Sequence, residues 1–409
     1  MVRSLADRLG SFLGGGKRLP EEEDYGQRVY CLACNAPLLD AALYYQHRVC
    51  PSCRFHYSLT ARERISLLAD PGTFKETHRS IVSLDPLSFS SSSSSKRSYR
   101  QRLFRDRRRT GLTEVAVIGR CAIGGRPAVL VVLDFSFLGG SMGGVVGEKV
   151  SLAFEMAARR KVPLVAVITS GGTGAPEGVL SLMQMAKTSM AVNALHQQGL
   201  PFITVMANPT TGQVYSSFAN LADIILAEPG ALMGFAPLSM LKDSFGKSLP
   251  PGVHTSETHL AHGMIDRVVD REHLKELLST LLDLLTPRYT LTRRGKRDET
   301  PAPRSEDSPP AWETVRLARH RQRPTSQDFI RRILSSFVEL HGDRVSGDDP
   351  HVICGLGYLG SQVVAVIGQE RSRGPTTAAR HHGQMHHEGF RQAQRIMGLV
   401  SKLHVPLFT

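Results

Sequence analysis

The run Ala128-Val129-Leu130-Val131-Val132-Leu133, closely followed by Leu138-Gly139-Gly140-Ser141-Met142-Gly143-Gly144, decides the fold class of this 409-residue chain. It is an apolar, β-branched segment that leads into a glycine-rich turn, and a helix is predicted next, from about 147 to 160. The same order follows downstream, with an apolar run at 164–168, a glycine loop at 170–174 and a predicted helix near 178–198. Buried strands that alternate with helices indicate an α/β core.

Each glycine loop lies where a strand turns into a helix. Glycines there leave backbone N–H groups open to a ligand, and the helix N-terminus adds partial positive charge. Such a turn can hold a phosphate or an oxyanion that forms during a reaction, or it can simply pack a helix on the sheet. The pattern G-x-x-x-x-G-K-[ST] is absent and Ser170 lacks a G-x-S-x-G elbow, so the sequence favours neither a nucleotide hydrolase nor a serine hydrolase.

A four-cysteine group lies upstream of the predicted core. Cys31 and Cys34 form one C-x2-C pair, Cys50 and Cys53 form a second, and fifteen residues separate the two pairs. This is the spacing of a zinc ribbon, in which four thiolates complete a tetrahedral shell and leave no position for a reacting water. The sequence therefore predicts one structural zinc ion, with a redox dithiol or four buried thiols as the alternative.

Composition limits the partners and the location. The formal net charge of +13 indicates an anionic partner, either nucleic acid or a phosphate-rich cofactor such as coenzyme A. No run of 18 apolar residues and no apolar signal core occurs, so we expect a cytoplasmic protein without a membrane span. Six serines from Ser90 and a basic stretch from Lys96 to Arg109 predict a loop over 84–111, part of which can be helical.

The chain divides where its composition changes. We predict a flexible lead at 1–28, the ribbon at 29–58, an α/β domain at 59–286, a proline- and charge-rich linker at 287–311 and a second domain at 312–409. Both sides of the linker share the order strand, loop, helix and then a Val-Pro-Leu segment, at Val162-Pro163-Leu164 and Val405-Pro406-Leu407. This order predicts a repeated fold unit whose second copy stops within a strand. Gly342-Asp343-Arg344 is expected to close a helix.

Longer motifs carry a family resemblance. Region 29–286 resembles the beta subunit of bacterial acetyl-CoA carboxylase carboxyltransferase through Cys50-Pro51-Ser52-Cys53, Phe137-Leu138-Gly139-Gly140-Ser141-Met142-Gly143, Ser181-Leu182-Met183-Gln184-Met185-Ala186-Lys187-Thr188, Pro209-Thr210-Thr211-Gly212 and Gly234-Phe235-Ala236. Region 312–409 resembles the start of the alpha subunit through Trp312-Glu313-Thr314-Val315-Arg316, Leu340-His341-Gly342-Asp343-Arg344 and Glu388-Gly389-Phe390-Arg391. The beta-then-alpha order implies a fused carboxyltransferase.

The resemblance implies a fold and a reaction. The fold is a crotonase-like (ClpP/crotonase) spiral, with a second, incomplete crotonase-like half after the linker. The reaction moves carboxylate from carboxybiotin, held on a separate biotin carboxyl carrier protein, to acetyl-CoA and gives malonyl-CoA for fatty acid synthesis. The implied partners are that carrier, biotin carboxylase, an alpha-type carboxyltransferase half and a homo- or hetero-oligomer, with nucleic acid as a secondary possibility. Nucleotide and ATP binding are further expectations of the resemblance.

The resemblance also assigns roles to residues. The expected catalytic donors, which stabilise oxyanions, are the backbone N–H groups of Gly139, Gly140, Gly171 and Gly172. The residues expected to line the substrate pocket are Ser141, Met142, Gly234 and Phe235. The four ribbon cysteines are the expected ligands of the zinc ion.

Two departures from the family pattern bear on activity. Many relatives have Ser-Gly-Gly-Ala-Arg where this chain has Ser170-Gly171-Gly172-Thr173-Gly174, and the missing arginine puts carboxylate recognition there in doubt. The alpha-type region stops before its own glycine loops, so we expect little or no transferase activity from these 409 residues alone. The alternative functions are a zinc-ribbon nucleic-acid-binding protein and an inactive regulatory paralogue. The sequence leaves open whether the substrate is acetyl-CoA or propionyl-CoA.

Overall fold

The computed structural model describes residues 29–89, 98–236, 252–286, 310–318, 320, 322–370 and 384–409. The chain forms two compact units. Unit 1 comprises Met1–Leu285 together with His341–Asp348, and unit 2 comprises Thr286–Leu340 and Asp349–Thr409. The predicted flexible lead, the serine run and the linker up to residue 309 lie outside the described residues. None of the described helices is long and apolar enough to cross a bilayer.

The ribbon region of unit 1 consists of two turns joined through a short helix, α1 (Ala42–His47). Antiparallel bridges pair Tyr30 with Pro37 and Val49 with His56. A small core forms between the two turns, in which the rings of Tyr44 and Tyr57 meet edge to face at 5.3 Å. So short a segment buries little apolar surface and gains little stability from it. The aromatic contact therefore stabilises the ribbon in addition to any bound metal.

A largely parallel sheet forms the centre of unit 1. Its strands are β1 (Lys75–Thr77), β2 (Ala116–Ile123), β3 (Arg126–Leu133), β4 (Leu164–Ser170), β5 (Phe202–Thr211), β6 (Ile224–Ala227), β7 (Met233–Gly234) and β8 (Arg267–Val268). The order is β1-β2-β3-β4-β5-β6-β8, with β7 paired to β5. β1, β2 and β3 pair antiparallel, and every pair from β3 onward is parallel. The predicted α/β core is confirmed, and β4 is buried along its whole length.

Helices cover this sheet and connect its strands. They are α2 (Ala61–Leu68), α3 (Tyr99–Thr110), α4 (Gly144–Arg160), α5 (Val179–Gln197), α6 (Gly212–Tyr215), α7 (Ser256–Ala261) and α8 (Arg271–Leu285). Short 3-10 turns lie at Leu138–Gly140, Ala175–Glu177 and Phe218–Leu221. α2 begins with a capping box in which the Thr60 hydroxyl accepts from the Glu63 N–H and the Glu63 carboxylate accepts from the Thr60 N–H. The predicted helices near 147–160 and 178–198 are confirmed.

The basic stretch after the serine run is more ordered than a loop over 84–111. Residues Tyr99–Thr110 form the 12-residue helix α3, in the part of the basic stretch for which a helix was left open. Ser98 caps the helix, Gly111 ends it in the left-handed region, and Tyr99 and Leu103 are buried on one face. With only two buried apolar residues, the periodicity was too weak to give the bounds of this helix.

Unit 2 contains a four-stranded sheet in the order β12-β11-β10-β9. The strands are β9 (Ser335–Glu339), β10 (Val352–Leu359), β11 (Gln362–Gln369) and β12 (Leu407–Phe408), and the helices are α9 (Ala311–Ala318), α10 (Ser326–Ile333) and α11 (His387–Leu403). β10 and β11 form a hairpin, and β12 runs parallel to β11 after α11, as β4 runs parallel to β3 after α4. Gly342-Asp343-Arg344 follows a strand, so the expectation that it closes a helix was wrong. The chain leaves α10 at Ile333 and pairs with β10 before it reaches this turn.

Candidate functional site

Both glycine loops lie at the carboxyl edge of the parallel strands in unit 1. The first glycine loop (138–144) follows β3, and the second glycine loop (170–174) follows β4. β5 ends at Thr211, which pairs with Gly234 of β7. Open α/β sheets bind ligands at this edge, because the loops that follow neighbouring parallel strands meet there. The edge is therefore the candidate active site.

The two glycine loops are joined to each other. Gly171 donates its N–H to the Gly139 carbonyl at 2.8 Å, Met142 donates to the Gly172 carbonyl at 2.8 Å, and Gly174 donates to the Met142 carbonyl at 2.9 Å. The last two bonds make a parallel bridge between Met142 and Thr173. The loops consequently form one connected backbone surface.

This connection uses most of the N–H groups that were expected to act as oxyanion donors. Gly171 donates to Gly139, Gly140 donates to the Phe137 carbonyl at 2.9 Å, and Gly172 donates to the Ser170 hydroxyl at 3.0 Å. Among the residues that the structure describes, the N–H of Gly139 has no acceptor. A Cβ built on Gly139 would meet its nearest atom, a ring carbon of Phe135, only at 4.0 Å. Gly139 is therefore the one expected donor without an acceptor among the described residues, and there is room for a substituent on its Cα.

Close backbone approach explains the glycines on the other side of this junction. A Cβ at Gly140 would collide with the Thr169 carbonyl and lie 2.9 Å from the Ser170 Cα. A Cβ at Gly174 would lie 2.8 Å from the Met142 carbonyl oxygen, which is closer than real Cβ atoms come to backbone. Any side chain at position 174 therefore requires the second loop to shift away from the first.

The N-terminus of α4 already holds an anion of the protein itself. Glu177 is buried, and its carboxylate accepts from the Gly144 N–H at 2.6 Å, the Tyr99 hydroxyl at 2.9 Å and the Ser83 hydroxyl at 3.0 Å. Burial and the neighbouring Glu177 charge raise the pKa of Tyr99, so this phenol stays a donor. Among the uses left open for such a turn, this arrangement disfavours a phosphate at the N-terminus of α4, because a side chain 33 residues downstream fills that position.

The four residues expected to line the substrate pocket occupy different surroundings. The Met142 side chain is fully buried, Ser141 is half-buried and Phe235 is 69% exposed. Gly234 is buried, has φ of +148°, and a Cβ there would lie 2.7 Å from Nδ1 of His254. Thus Gly234 and Phe235 lie at the candidate edge through β7, whereas the Met142 side chain belongs to the core.

Two residues that received no role from the sequence complete this edge. Gly212, at the start of α6, approaches the second loop so closely that its Cβ would lie 2.9 Å from the Gly172 Cα. The buried Gln213 side chain donates to the Met142 carbonyl at 3.1 Å and to the Ser181 carbonyl at 2.9 Å. The glycine directly after the β5 strand was the one signal for them in the sequence.

The four ribbon cysteines form a candidate metal centre. Their sulfur atoms all lie within 4.8 Å of one another, with Sγ separations of 3.7 Å for Cys31–Cys53 and for Cys34–Cys50. Zinc–sulfur bonds of about 2.3 Å in a tetrahedron place the sulfurs ~3.8 Å apart, so the donor set fits zinc. Burial opposes ionisation of Cys31, but hydrogen bonds from the Tyr57 hydroxyl and nearby backbone N–H groups lower the pKa of Cys31 to about 6.

A buried ion network joins the ribbon to the sheet domain. The Glu228 carboxylate, just after β6, accepts from Arg271 at 2.8 and 2.7 Å and from Arg64 at 2.9 and 3.4 Å. Arg271 also donates to the His47 carbonyl of the ribbon at 2.8 Å, and His56 contacts Asp270 at 3.2 Å. Burial alone would raise the pKa of Glu228, but the two guanidinium groups hold it well below its usual value.

The chain is similar to fused carboxyltransferase chains along most of its length. It is 39% identical to "Acetyl-coenzyme A carboxylase carboxyl transferase subunits beta/alpha" of Parafrankia sp. (strain EAN1pec), across 88% of this chain and 62% of the relative. The protein of the same name from Salinispora tropica is 40% identical across 93% of this chain and 68% of the relative. The separate beta subunit of Thermus thermophilus is 45% identical across 67% of this chain and 93% of its own length. The chain thus spans about two thirds of the fused relatives.

Solved structures show the same fold. Transcarboxylase 12S with methylmalonyl-coenzyme A and methylmalonic acid bound superposes with a TM-score of 0.65 at 22% identity, across 86% of this chain and 63% of that chain. A single-chain, multi-domain long-chain acyl-CoA carboxylase gives 0.61 at 22% identity, across 86% and 33%. These similarities confirm the crotonase-like α/β fold and give no support to ATP binding or to a nucleic-acid-binding module.

The profile of one family matches the end of the chain. It is described as "Acetyl co-enzyme A carboxylase carboxyltransferase-like" and covers residues 306–409. The separate beta subunit matches 67% of the chain, and relatives named beta/alpha match 88–93% of it. The chain therefore belongs to the acetyl-CoA carboxylase carboxyltransferase family, in the arrangement with beta-type sequence followed by alpha-type sequence.

Proposed function

We propose that this chain is a carboxyltransferase component of acetyl-CoA carboxylase, which moves carboxylate from carboxybiotin on a separate carrier protein to acetyl-CoA and so forms malonyl-CoA. The observation that carries the proposal is the junction of the two glycine loops at the carboxyl edge of a crotonase-like sheet. Among the four expected donors, only the Gly139 N–H has no acceptor in the described part of the chain, and a Cβ at Gly139 would meet no atom closer than 4.0 Å. Family membership supplies the substrate class.

The geometry suits the stabilisation of an oxyanion. Carboxybiotin, when bound, supplies carbon dioxide and a ureido nitrogen that accepts a proton from the thioester methyl group. The resulting enolate of the acyl-CoA carries its negative charge on the thioester oxygen. We assign the Gly139 N–H as a donor to that oxygen. One such donor is worth about 3–4 kcal/mol of barrier in other enzymes.

The remaining expected residues then serve to fix this donor. The N–H groups of Gly140, Gly171 and Gly172 hold the loops in place. Glu177 fills the N-terminus of α4 and sets the position at which the first loop enters that helix. Substrate selectivity at this edge consequently depends on backbone geometry, because no charged side chain belongs to either glycine loop.

The ribbon is proposed to hold one structural zinc ion. Four thiolates would complete the zinc shell, so the ion would stabilise the ribbon fold and take no part in the transfer. Two further proposals concern assembly. Unit 2 repeats the hairpin, helix and parallel strand of unit 1, which supports a second crotonase-like half. Biotin carboxyl carrier protein, biotin carboxylase and an alpha-type half in an oligomer are the proposed partners.

Binding of malonyl-CoA tests the proposal with a matched pair of variants. Gly139 and Gly125 both have positive φ, +67° and +76°, and a Cβ at either position meets no atom closer than 4.0 Å. Gly139→Ala and Gly125→Ala therefore carry equal backbone strain, but only the first places a methyl group at the candidate edge. In calorimetric titration of the full chain, we expect Gly139→Ala to weaken binding at least fivefold and Gly125→Ala to change it less than twofold.

Three results would count against the proposal. Equal affinities for the two variants would remove Gly139 from the site. Absence of saturable malonyl-CoA binding by the wild-type chain would contradict the proposal that the chain acts on an acyl-CoA. Salt-sensitive RNA binding without affinity for coenzyme A would favour the ribbon as a nucleic-acid module.

A further inference from the structure

One short segment of the alpha-type region belongs to the compact unit formed by the beta-type region. The segment His341–Asp348 is part of unit 1, while Leu340 before it and Asp349 after it belong to unit 2. More than fifty residues of sequence separate it from Leu285, the end of the first stretch of unit 1. Its place is therefore fixed by contacts rather than by closeness along the chain.

Backbone groups approach closely where this segment meets the turn after α7. Arg344 donates its N–H to the Gly263 carbonyl at 2.9 Å. A Cβ on Gly342 would lie 2.6 Å from the Gly263 Cα, and a Cβ on Gly263 would collide with the Gly347 carbonyl. Both Gly263 and Gly342 have positive φ, +67° and +83°. The contact thus depends on two glycines, one on each side.

A partly buried ion pair lies beside these glycines. The Arg344 guanidinium contacts the carboxylate of Asp266, a residue with 0% exposure. Asp266 also accepts from the Ile225 N–H at 2.7 Å, which fixes the carboxylate at the start of β6. Arg344 further donates to the carbonyls of Gly263 at 3.4 Å and His341 at 3.3 Å. The Asp266 carboxylate is desolvated and its partner Arg344 is only 18% exposed, unlike an exposed surface pair.

The segment is held in shape by its own hydrogen bonds. One carboxylate oxygen of Asp343 accepts from the N–H groups of Val345, Ser346 and Gly347 at 2.8, 2.8 and 3.0 Å. The Asp348 carboxylate accepts from the Gly342 N–H at 2.7 Å and contacts Nδ1 of His341 at 2.9 Å. A segment with this internal order loses little conformational entropy when it binds.

We propose that His341–Asp348 is a docking strap, which binds the alpha-type polypeptide to the beta-type domain through Gly263 and Asp266 even when the linker is cut. The partner surface is the turn and strand start at 263–266. The recognising features are the glycine contact and the Arg344–Asp266 pair. This inference does not rest on the proposed chemistry, because it concerns association of the two regions of the chain.

The test uses the full chain with a specific protease site placed in the linker between residues 290 and 305. After cleavage, the wild-type fragments are expected to elute together in gel filtration at micromolar concentration. Arg344→Ala is expected to weaken their association by about a hundredfold or more, because it removes the guanidinium that faces the buried Asp266 carboxylate. Arg316→Ala, on the exposed helix α9, is the matched control and should leave association unchanged.

Folding and docking are separated by comparing intact and cut chains. Before cleavage, Arg344→Ala should elute like the wild type and give the same far-ultraviolet circular dichroism. Arg344→Lys keeps the charge and the backbone bond to Gly263 but loses the guanidinium hydrogen bonds to the Gly263 and His341 carbonyls, and it should weaken association by about tenfold. Separation of the wild-type fragments, or unchanged association in both Arg344 variants, would overturn the proposal. No catalytic assay enters, so the outcome is independent of the proposed function.

Discussion

Replacement of Glu228 by glutamine should destabilise unit 1 strongly. Its carboxylate accepts two hydrogen bonds from Arg271 and two from Arg64, and all three side chains are almost completely buried. Glutamine offers one acceptor and turns an NH2 group toward guanidinium N–H donors. At least two charge-assisted bonds are lost, each worth about 1.5–3 kcal/mol. The expected loss is about 3–5 kcal/mol, which matches the cost of breaking buried ion pairs.

Urea unfolding followed by far-ultraviolet circular dichroism measures this loss. With a slope of about 2–3 kcal/mol per molar urea, the midpoint of Glu228→Gln should fall by ~1–2 M. The matched control is Glu76→Gln, which removes the ion pair with Arg62 at 2.8 Å, a residue whose side chain is 49% exposed. That change should cost only about 0–1 kcal/mol. Equal midpoints for the two variants would refute the network as an anchor of the ribbon.

Acid dependence gives a second measurement of the same carboxylate. The folded pKa of Glu228 lies well below its ordinary value of 4.5, because two arginines favour the charged form. Its contribution to stability is therefore fully present above pH 4.5 and is lost as pH falls toward the folded pKa. The difference in unfolding free energy between wild type and Glu228→Gln should shrink below pH 4.5. A difference that stays constant down to pH 3 would contradict the assignment.

Three further predictions concern the ribbon and the glycine loops. Purified chain should contain one zinc ion per molecule, measured with a chromophoric chelator. Cys34→Ser should lose the zinc ion, and the control Cys121→Ser should keep it. Equal zinc content in the two variants would contradict the ribbon site. Gly140→Ala should lower the thermal unfolding midpoint clearly more than Gly125→Ala, because a Cβ at Gly140 collides with backbone and one at Gly125 does not. Similar midpoints would mean that the first glycine loop can shift freely. Glu177→Gln should cost about 1–2 kcal/mol of unfolding free energy, since α4 loses the anion at its N-terminus. An unchanged midpoint of urea unfolding would refute the stabilisation of α4 by Glu177.

Periodicity and spacing were sufficient to predict the α/β class of unit 1. The apolar run at 128–133 and the glycine loop after it are local features, and the structure places a buried strand and a turn there. The two C-x2-C pairs specify a sulfur cluster, since the metal geometry constrains the spacing. The capping box at Thr60 is a local feature of the same kind, because all its groups lie within four residues.

The parts that escaped prediction depend on contacts between distant positions. Glu177 reaches the N–H of Gly144 only because two loops meet, and its local sequence reads as a turn. Glu228 pairs with Arg64 across 164 positions and with Arg271 across 43. Contacts between distant positions also decide which backbone N–H groups of the glycine loops are free to act as donors. Which N–H groups stay open depends on the register between the loops, and the register has no signature within either loop.

The backbone bonds between the two glycine loops also restrict how their lengths can change. A residue inserted into either loop would displace the bridge of Met142 with Thr173 by one position, and alternate N–H groups would then point to the opposite side. Restoring the bridge would require a matching insertion in the other loop, about thirty positions away. Insertions and deletions should therefore be tolerated at other connections, such as the turn at Gly124-Gly125, long before they are tolerated here.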